Sequence, residues 1–287
     1  MTIKRLLALL FLLFCGPLLQ AAEHRVLRDI EYAVVDGKSM KLDIYLPDAK
    51  HPPLIVWVHG GAWRAGSKSD MPLGKLMVQG YAVASLDYRL STVAPFPALI
   101  HDIKASIRFL KAKSGEYGYD AGRTAIAGSS AGGHLAALVG VTNGQKELEG
   151  KVGNHLDQNS DVRAIISLFG ASNLNSILSQ STPHGLKMRV PALQLLLGGQ
   201  PQEKPDLAKL ASPVEHLDPK DPPLLLIHGD ADPQMPPQQS QELAAAYKKA
   251  GLPVTLEIIP GAVHGGEKFF DDKRIAMMKG FLEEALK

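Results

Sequence analysis

Sulfur chemistry is almost absent from this chain: among 287 residues there is one cysteine, Cys15. A disulfide framework is thereby excluded, and because Cys15 lies in an apolar N-terminal run, no thiol nucleophile remains beyond it. A charge surplus is missing too. Lysine and arginine number 31 against 29 aspartates and glutamates, so the basic excess that marks nucleic-acid binding is not there. No repeat at solenoid or propeller spacing, no heptad run and no low-complexity linker divides the chain. Metal and phosphate signatures are lacking as well: there is no His-Glu-x-x-His pair, no cysteine cluster and no Walker-type loop. Neither a metal nor an organic cofactor is expected.

What is present begins with Lys4-Arg5, then the apolar residues 6–14 and the small residues Ala21-Ala22. This order resembles a secretory signal peptide over residues 1–22. The apolar stretch is shorter than the ~20 residues a membrane span needs, so an uncleaved anchor is the weaker alternative and no stable membrane association is expected. Phe14 is too bulky a neighbour for a lipid anchor on Cys15. Removal of Lys4 and Arg5 leaves 29 basic against 29 acidic residues. A near-neutral secreted or periplasmic protein spanning 23–287 is the expectation.

Within that span, strand-like and helix-like segments alternate, with Pro and Gly at their junctions. One α/β domain with a mostly parallel sheet between helices accounts for this pattern. Its most informative segment is Gly128-Ser129-Ser130-Ala131-Gly132-Gly133. Strand-like residues 123–127 precede it and helix-like residues 134–139 follow it. Gly-x-Ser-x-Gly in that setting reads as a nucleophile elbow, a turn so tight that the neighbours of the serine must be small.

A serine hydroxyl attacks a carbonyl at neutral pH only with a base, normally an imidazole that a carboxylate orients. The acid belongs on the loop after a late core strand. Residues 224–228 form the strongest such strand in the second half, and Gly229-Asp230-Ala231-Asp232-Pro233 follows it. Either aspartate leaves His264 as the sole downstream histidine. Asp232 is preferred, because Pro233 favours an extended loop, whereas Asp230 suits a local backbone hydrogen bond.

Oxyanion donors are also required. His59-Gly60-Gly61-Ala62-Trp63 follows strand-like residues 54–58, and the N–H groups of Gly61, Ala62 and Ala131 are the candidates. His59 reads as a brace for this loop. Trp63 is assigned to the substrate pocket, with a place in the core as its alternative. Asp87, Arg89, His101, Asp102, Asp120 and Arg123 read as structural. The segment 170–213, irregular and containing Pro183, Pro191 and Pro201, is expected as a short insertion over the C-terminal strand ends, where it would set specificity.

Taken in order, the loop at 59–63, Asp87-Tyr88-Arg89-Leu90, Ala94-Pro95-Phe96-Pro97, residues 128–133, His228-Gly229-Asp230-Ala231-Asp232 and Gly261-Ala262-Val263-His264-Gly265 resemble the α/β-hydrolase esterases with a His-Gly-Gly motif, and within them the BD-FAE-like (bifunctional feruloyl/acetyl esterase-like) branch. The resemblance implies a serine carboxylesterase with Ser130, Asp232 and His264 as triad, acting on small-molecule or carbohydrate esters. Ala62 stands where the family has a third glycine, which adds a methyl group beside the acyl site. Gly266 stands where the family often has an aromatic residue. An amidase, arylformamidase or peptidase-like hydrolase with the same triad is the nearest alternative, and a non-catalytic binding module the more distant one.

Overall fold

The computed structural model describes residues 24–287; the leader expected over 1–22 lies outside them. Eight strands form one sheet: β1 (Arg25–Val35), β2 (Lys38–Leu46), β3 (Pro53–Val58), β4 (Ala82–Leu86), β5 (Asp120–Ser129), β6 (Ala164–Leu168), β7 (Leu224–Gly229) and β8 (Val254–Ile259). They lie in the order β1-β2-β4-β3-β5-β6-β7-β8. β1 and β2 pair antiparallel, β2 meets β4 antiparallel, and every pair from β4 to β8 is parallel. This is the α/β-hydrolase arrangement anticipated from the sequence.

Alternation along the central strands explains why the sheet is covered on both faces. In β3, Leu54, Val56 and Val58 join one apolar cluster while Ile55 and Trp57 join the other. β7 divides likewise, with Leu224 and Leu226 on one face and Leu225 and Ile227 on the opposite one. Parallel strands buried on both sides read as unbroken apolar runs, which is how both stand in the sequence.

Helices occupy the crossovers. Ala98–Ala112 and Ala131–Gly140 contribute to the larger cluster, and Asp272–Ala285 to the smaller. A short turn precedes the last of these. Residues 267–269 make a separate 3₁₀ turn, and the side chain of Asp271 then caps the helix by accepting from the Arg274 amide at 2.9 Å.

The segment 170–213 is more regular than its prolines suggest. It carries the helix Pro183–Leu197, in which Pro183 sits at the first turn and Gly198 closes the end at φ 68°. Thr182 caps it, accepting from the Gly185 amide at 3.0 Å. Proline costs little at a helix start, where its missing N–H would be unpaired anyway. This helix reaches from the loop after β7, where the Thr182 hydroxyl donates to the Pro233 carbonyl, to the loop before Ala98, where the Phe96 amide donates to the Leu196 carbonyl. The insertion therefore bridges the two sides of the sheet's C-terminal edge.

Candidate active site

Four loops meet at that edge, and glycine sets how closely. Ser130 joins β5 to the helix Ala131–Gly140 with φ 54° and ψ −118°, a strained conformation for a residue with a side chain. Two contacts hold it: its amide donates to the Leu168 carbonyl at 2.9 Å, and its carbonyl accepts from the His134 amide at 3.0 Å. A Cβ on Gly132 would stand 2.0 Å from the Val58 carbonyl oxygen, and one on Gly128 2.3 Å from the Gly132 carbonyl oxygen. Only glycine permits this approach, which sets the elbow flush against the end of β3. The loop that follows β3 thereby lies beside Ser130, with the Gly60 Cβ position 3.4 Å from the Ser130 Cβ.

Ser130, His264 and Asp232 form one hydrogen-bonded line. The Ser130 hydroxyl lies 2.8 Å from His264 Nε2, and His264 Nδ1 lies 2.6 Å from Asp232 Oδ2. An ionised carboxylate only accepts, so Nδ1 carries the proton and Nε2 is free to take one from serine. The other carboxylate oxygen, Oδ1, accepts from the amides of Gln234 and Met235 at 2.8 and 2.9 Å. Burial alone would raise the Asp232 pKa, but hydrogen bonds from His228 and His264, the charge of His264 and the Met235 amide outweigh it and hold the carboxyl well below its ordinary value. Asp230 is engaged elsewhere, accepting from the Gly261 amide at 2.7 Å.

Beside the serine, the amides of Gly61 and Ala62 donate to no acceptor among the described residues, and that of Ala131 opens a helix and has no partner within it. Gly61, Ala62 and Trp63 all have left-handed φ, at 107°, 52° and 60°. Strain at non-glycine positions persists only where the surroundings enforce it. His59 is part of that enforcement: its Nδ1 donates to the Gly60 carbonyl at 2.7 Å, and its ring stacks on Tyr88 at 4.4 Å. Burial lowers its pKa, which suits a neutral brace.

Of the other residues read as structural, all but His101, whose Nε2 is buried without a hydrogen-bond partner, have partners of that kind. Arg89 grips both carboxylate oxygens of Asp102 at 2.7 and 2.8 Å, Asp87 accepts from the Lys68 amide, and Arg123 pairs with Asp120. Among the described residues, no group of three or more His, Cys, Asp or Glu side chains is placed to hold a metal ion.

Trp63 requires a correction. Its side chain is fully buried and does not line the site: the indole N–H donates to His134 Nδ1 at 3.0 Å, and the guanidinium of Arg189 covers its ring at 5.7 Å. Its aromatic surface is thus spent on the interior, the alternative left open for it. Three further residues near the site are given no role by the sequence analysis. Phe169 packs edge-on against the His264 ring at 4.8 Å, His228 sits 3.4 Å from Asp232 Oδ2 while bonded to Ser240 and the Met235 carbonyl, and His134 lies beneath Trp63. Phe169 and His134 meet partners remote in sequence, so no local motif announces them; His228 meets Asp232, Met235 and Ser240 within twelve positions, through contacts that only the folded loop creates.

His134 makes a measurable prediction. Its Nε2–H donates to the Ala211 carbonyl at 2.6 Å, and burial pushes its pKa down from 6.5 to about 4, with the Ala211 bond opposing and the Arg189 charge assisting. Between those two values the unfolded chain binds a proton that the folded chain refuses, so stability is intact above 6.5 and drains away as pH falls toward 4. The expected loss is about 3 kcal/mol, at a slope of about 1.4 kcal/mol per pH unit. Denaturant unfolding of the parent and of His134→Gln between pH 7.5 and 4.5 checks it: the variant should show a slope shallower by about one proton.

A buried serine at a strained elbow, an imidazole and carboxylate in line with it, and free amides alongside, on a mostly parallel eight-stranded sheet, define the class as α/β-hydrolase. Within that class the chain belongs to the BD-FAE family, whose profile matches residues 42–247. It is 29% identical over 238 residues to the esterase LipC of Mycobacterium tuberculosis, a match covering 80% of this chain and 58% of LipC. The chain thus spans little more than half of that relative's length. A truncated carbohydrate esterase from gut microbiota superposes with a TM-score of 0.81 at 34% identity, covering 94% of this chain and 99% of the other. The propionate-bound esterase Est2 of Thermogutta terrifontis gives 0.72 at 27% identity, covering 93% and 96%.

Proposed function

We propose that this chain is a secreted serine carboxylesterase for short-acyl esters, including acetyl or aryl esters on carbohydrate. The observation that carries the reading is the line from Asp232 Oδ2 through His264 to Ser130 Oγ, at 2.6 and 2.8 Å, ending on the strained elbow. His264 takes the hydroxyl proton at Nε2 as Oγ attacks the ester carbonyl. Asp232 keeps the ring in the required tautomer and stabilises the imidazolium. The Gly61, Ala62 and Ala131 amides receive the oxyanion, helped by the positive end of the helix that starts at Ala131. His264 returns the proton to the leaving alcohol, and water activated by the same nitrogen releases the acid from the acyl-enzyme.

The carbohydrate esterase and the propionate-bound Est2 support the substrate class, and the Ala62 methyl group supports a short acyl chain. The charge and apolar pattern of residues 4–22 supports export. Among the described residues no helix is long and apolar enough to cross a membrane.

Hydrolysis of 4-nitrophenyl acetate, butyrate and octanoate, with 4-nitroacetanilide beside them, tests the reading. Rates falling with chain length, a much slower anilide, and a fluorophosphonate adduct on the peptide containing Ser130 are the expected results. A faster anilide would move the chain to the amidases. Absence of both turnover and labelling would overturn the mechanism.

A further inference from the structure

One charged group near the site has no use in that mechanism. Arg189, on the helix Pro183–Leu197, is 2% exposed. Its Nε and Nη1 are buried without a hydrogen-bond partner, and its one hydrogen bond among the described residues is a long one of 3.4 Å from Nη2 to the Gln234 carbonyl. It forms no ion pair among the described residues. The carboxylate whose charge it feels, Asp232, is already occupied by His264 and two amides. Burial lowers its pKa only to about 10, so the guanidinium is charged at neutral pH. A buried cation without a counter-charge costs several kcal/mol, and an apolar side chain of similar size would be better tolerated.

Its surroundings say where such a charge would be used. The Gln234 carbonyl belongs to the loop bearing Asp232, and Trp63, under the guanidinium, directly follows Ala62. Arg189 therefore stands between the loop that bears the acid and the loop that offers the oxyanion amides. Arg64 follows Trp63 on the same loop, is half-buried, and makes no side-chain hydrogen bond or ion pair among the described residues. Its charge is close enough to oppose that of Arg189. Two guanidinium groups close enough to repel one another, neither of them in an ion pair among the described residues, have the chemistry to receive an anion.

The geometry points to Arg189, with Arg64 beside it, as the recognition site for a carboxylate carried by the ester substrate. This deepens the esterase reading and rests on it: the preferred substrates are esters with an acidic group on the acyl or the alcohol side, such as half-esters of dicarboxylic acids or acylated acids of sugars and phenols. Neutral esters would occupy the same site without meeting the guanidinium.

Two matched pairs separate the sources of the charge. Phenyl hydrogen glutarate against phenyl pentanoate places it on the acyl side, and 4-acetoxybenzoate against its methyl ester places it on the alcohol side. In one pair kcat/KM should favour the anion about tenfold or more, carried by KM, and Arg189→Met should abolish that preference, with Arg189→Lys restoring part of it. Arg189→Met should melt no lower than the parent. If it does not fold, Arg64→Gln should reduce the same ratio. An unchanged ratio in the variants, or no preference for the anion in either pair, would overturn the proposal while leaving the esterase reading intact. Should no ester be turned over, the esterase reading fails by itself. A thermal upshift of the Ser130→Ala protein by 4-acetoxybenzoate and not by its methyl ester would then support the anion site, and equal shifts would overturn it.

Discussion

Ser130→Ala is expected to lower kcat for 4-nitrophenyl acetate by about 10⁵–10⁶-fold with little change in KM, because the nucleophile acts in the transition state and contributes little to ground-state binding. The variant should fold. Its elbow is held by the backbone of Ser130, through the Leu168 carbonyl and the His134 amide, and among the described residues the hydroxyl bonds only to His264. Some rate above the uncatalysed reaction should survive, since the Gly61, Ala62 and Ala131 amides remain in place and such donors act without the nucleophile. Steady-state kinetics with a melting curve check both halves. A variant with more than about a tenth of the parent rate would mean that another group performs the attack.

Much of this site was legible in the sequence because its requirements are local. A tight strand-to-helix turn demands glycines at fixed offsets from the serine, so residues 128–133 announce themselves. Chain order within the fold then leaves His264 as the base, and β3 and β7 match their apolar runs to within a residue. Other parts depend on residues far apart. Trp63 meets His134 across 71 positions. No periodicity in either segment encodes that contact, and an aromatic residue after a His-Gly-Gly loop is equally compatible with a pocket wall. Arg189 was hidden for a different reason: in a proline-bearing segment an arginine reads as surface, and only the packed helix shows it buried over an indole. The helix itself was masked because Pro183 and Pro191 suggest irregular chain, whereas Pro183 starts the helix and Pro191 is accommodated within it.

Asp232→Asn should cost about 10⁴-fold in kcat, and the reason lies in which way the new amide must face. Oδ1 of Asp232 accepts from two backbone amides, those of Gln234 and Met235, at 2.8 and 2.9 Å. An asparagine keeps those bonds only by placing its carbonyl oxygen there, which turns its NH₂ group toward His264 Nδ1. That nitrogen must then accept, so the ring proton moves to Nε2 and the lone pair that would take the Ser130 proton is lost. Asp230→Asn is the matching control, two residues away with the same chemical change. Its carbonyl oxygen can still accept from the Gly261 amide, now at 2.7 Å from Asp230 Oδ1, and kcat should stay within about twofold of the parent. Comparable losses in the two variants would remove Asp232 from the mechanism. A large loss confined to Asp230→Asn would reverse the assignment of the acid.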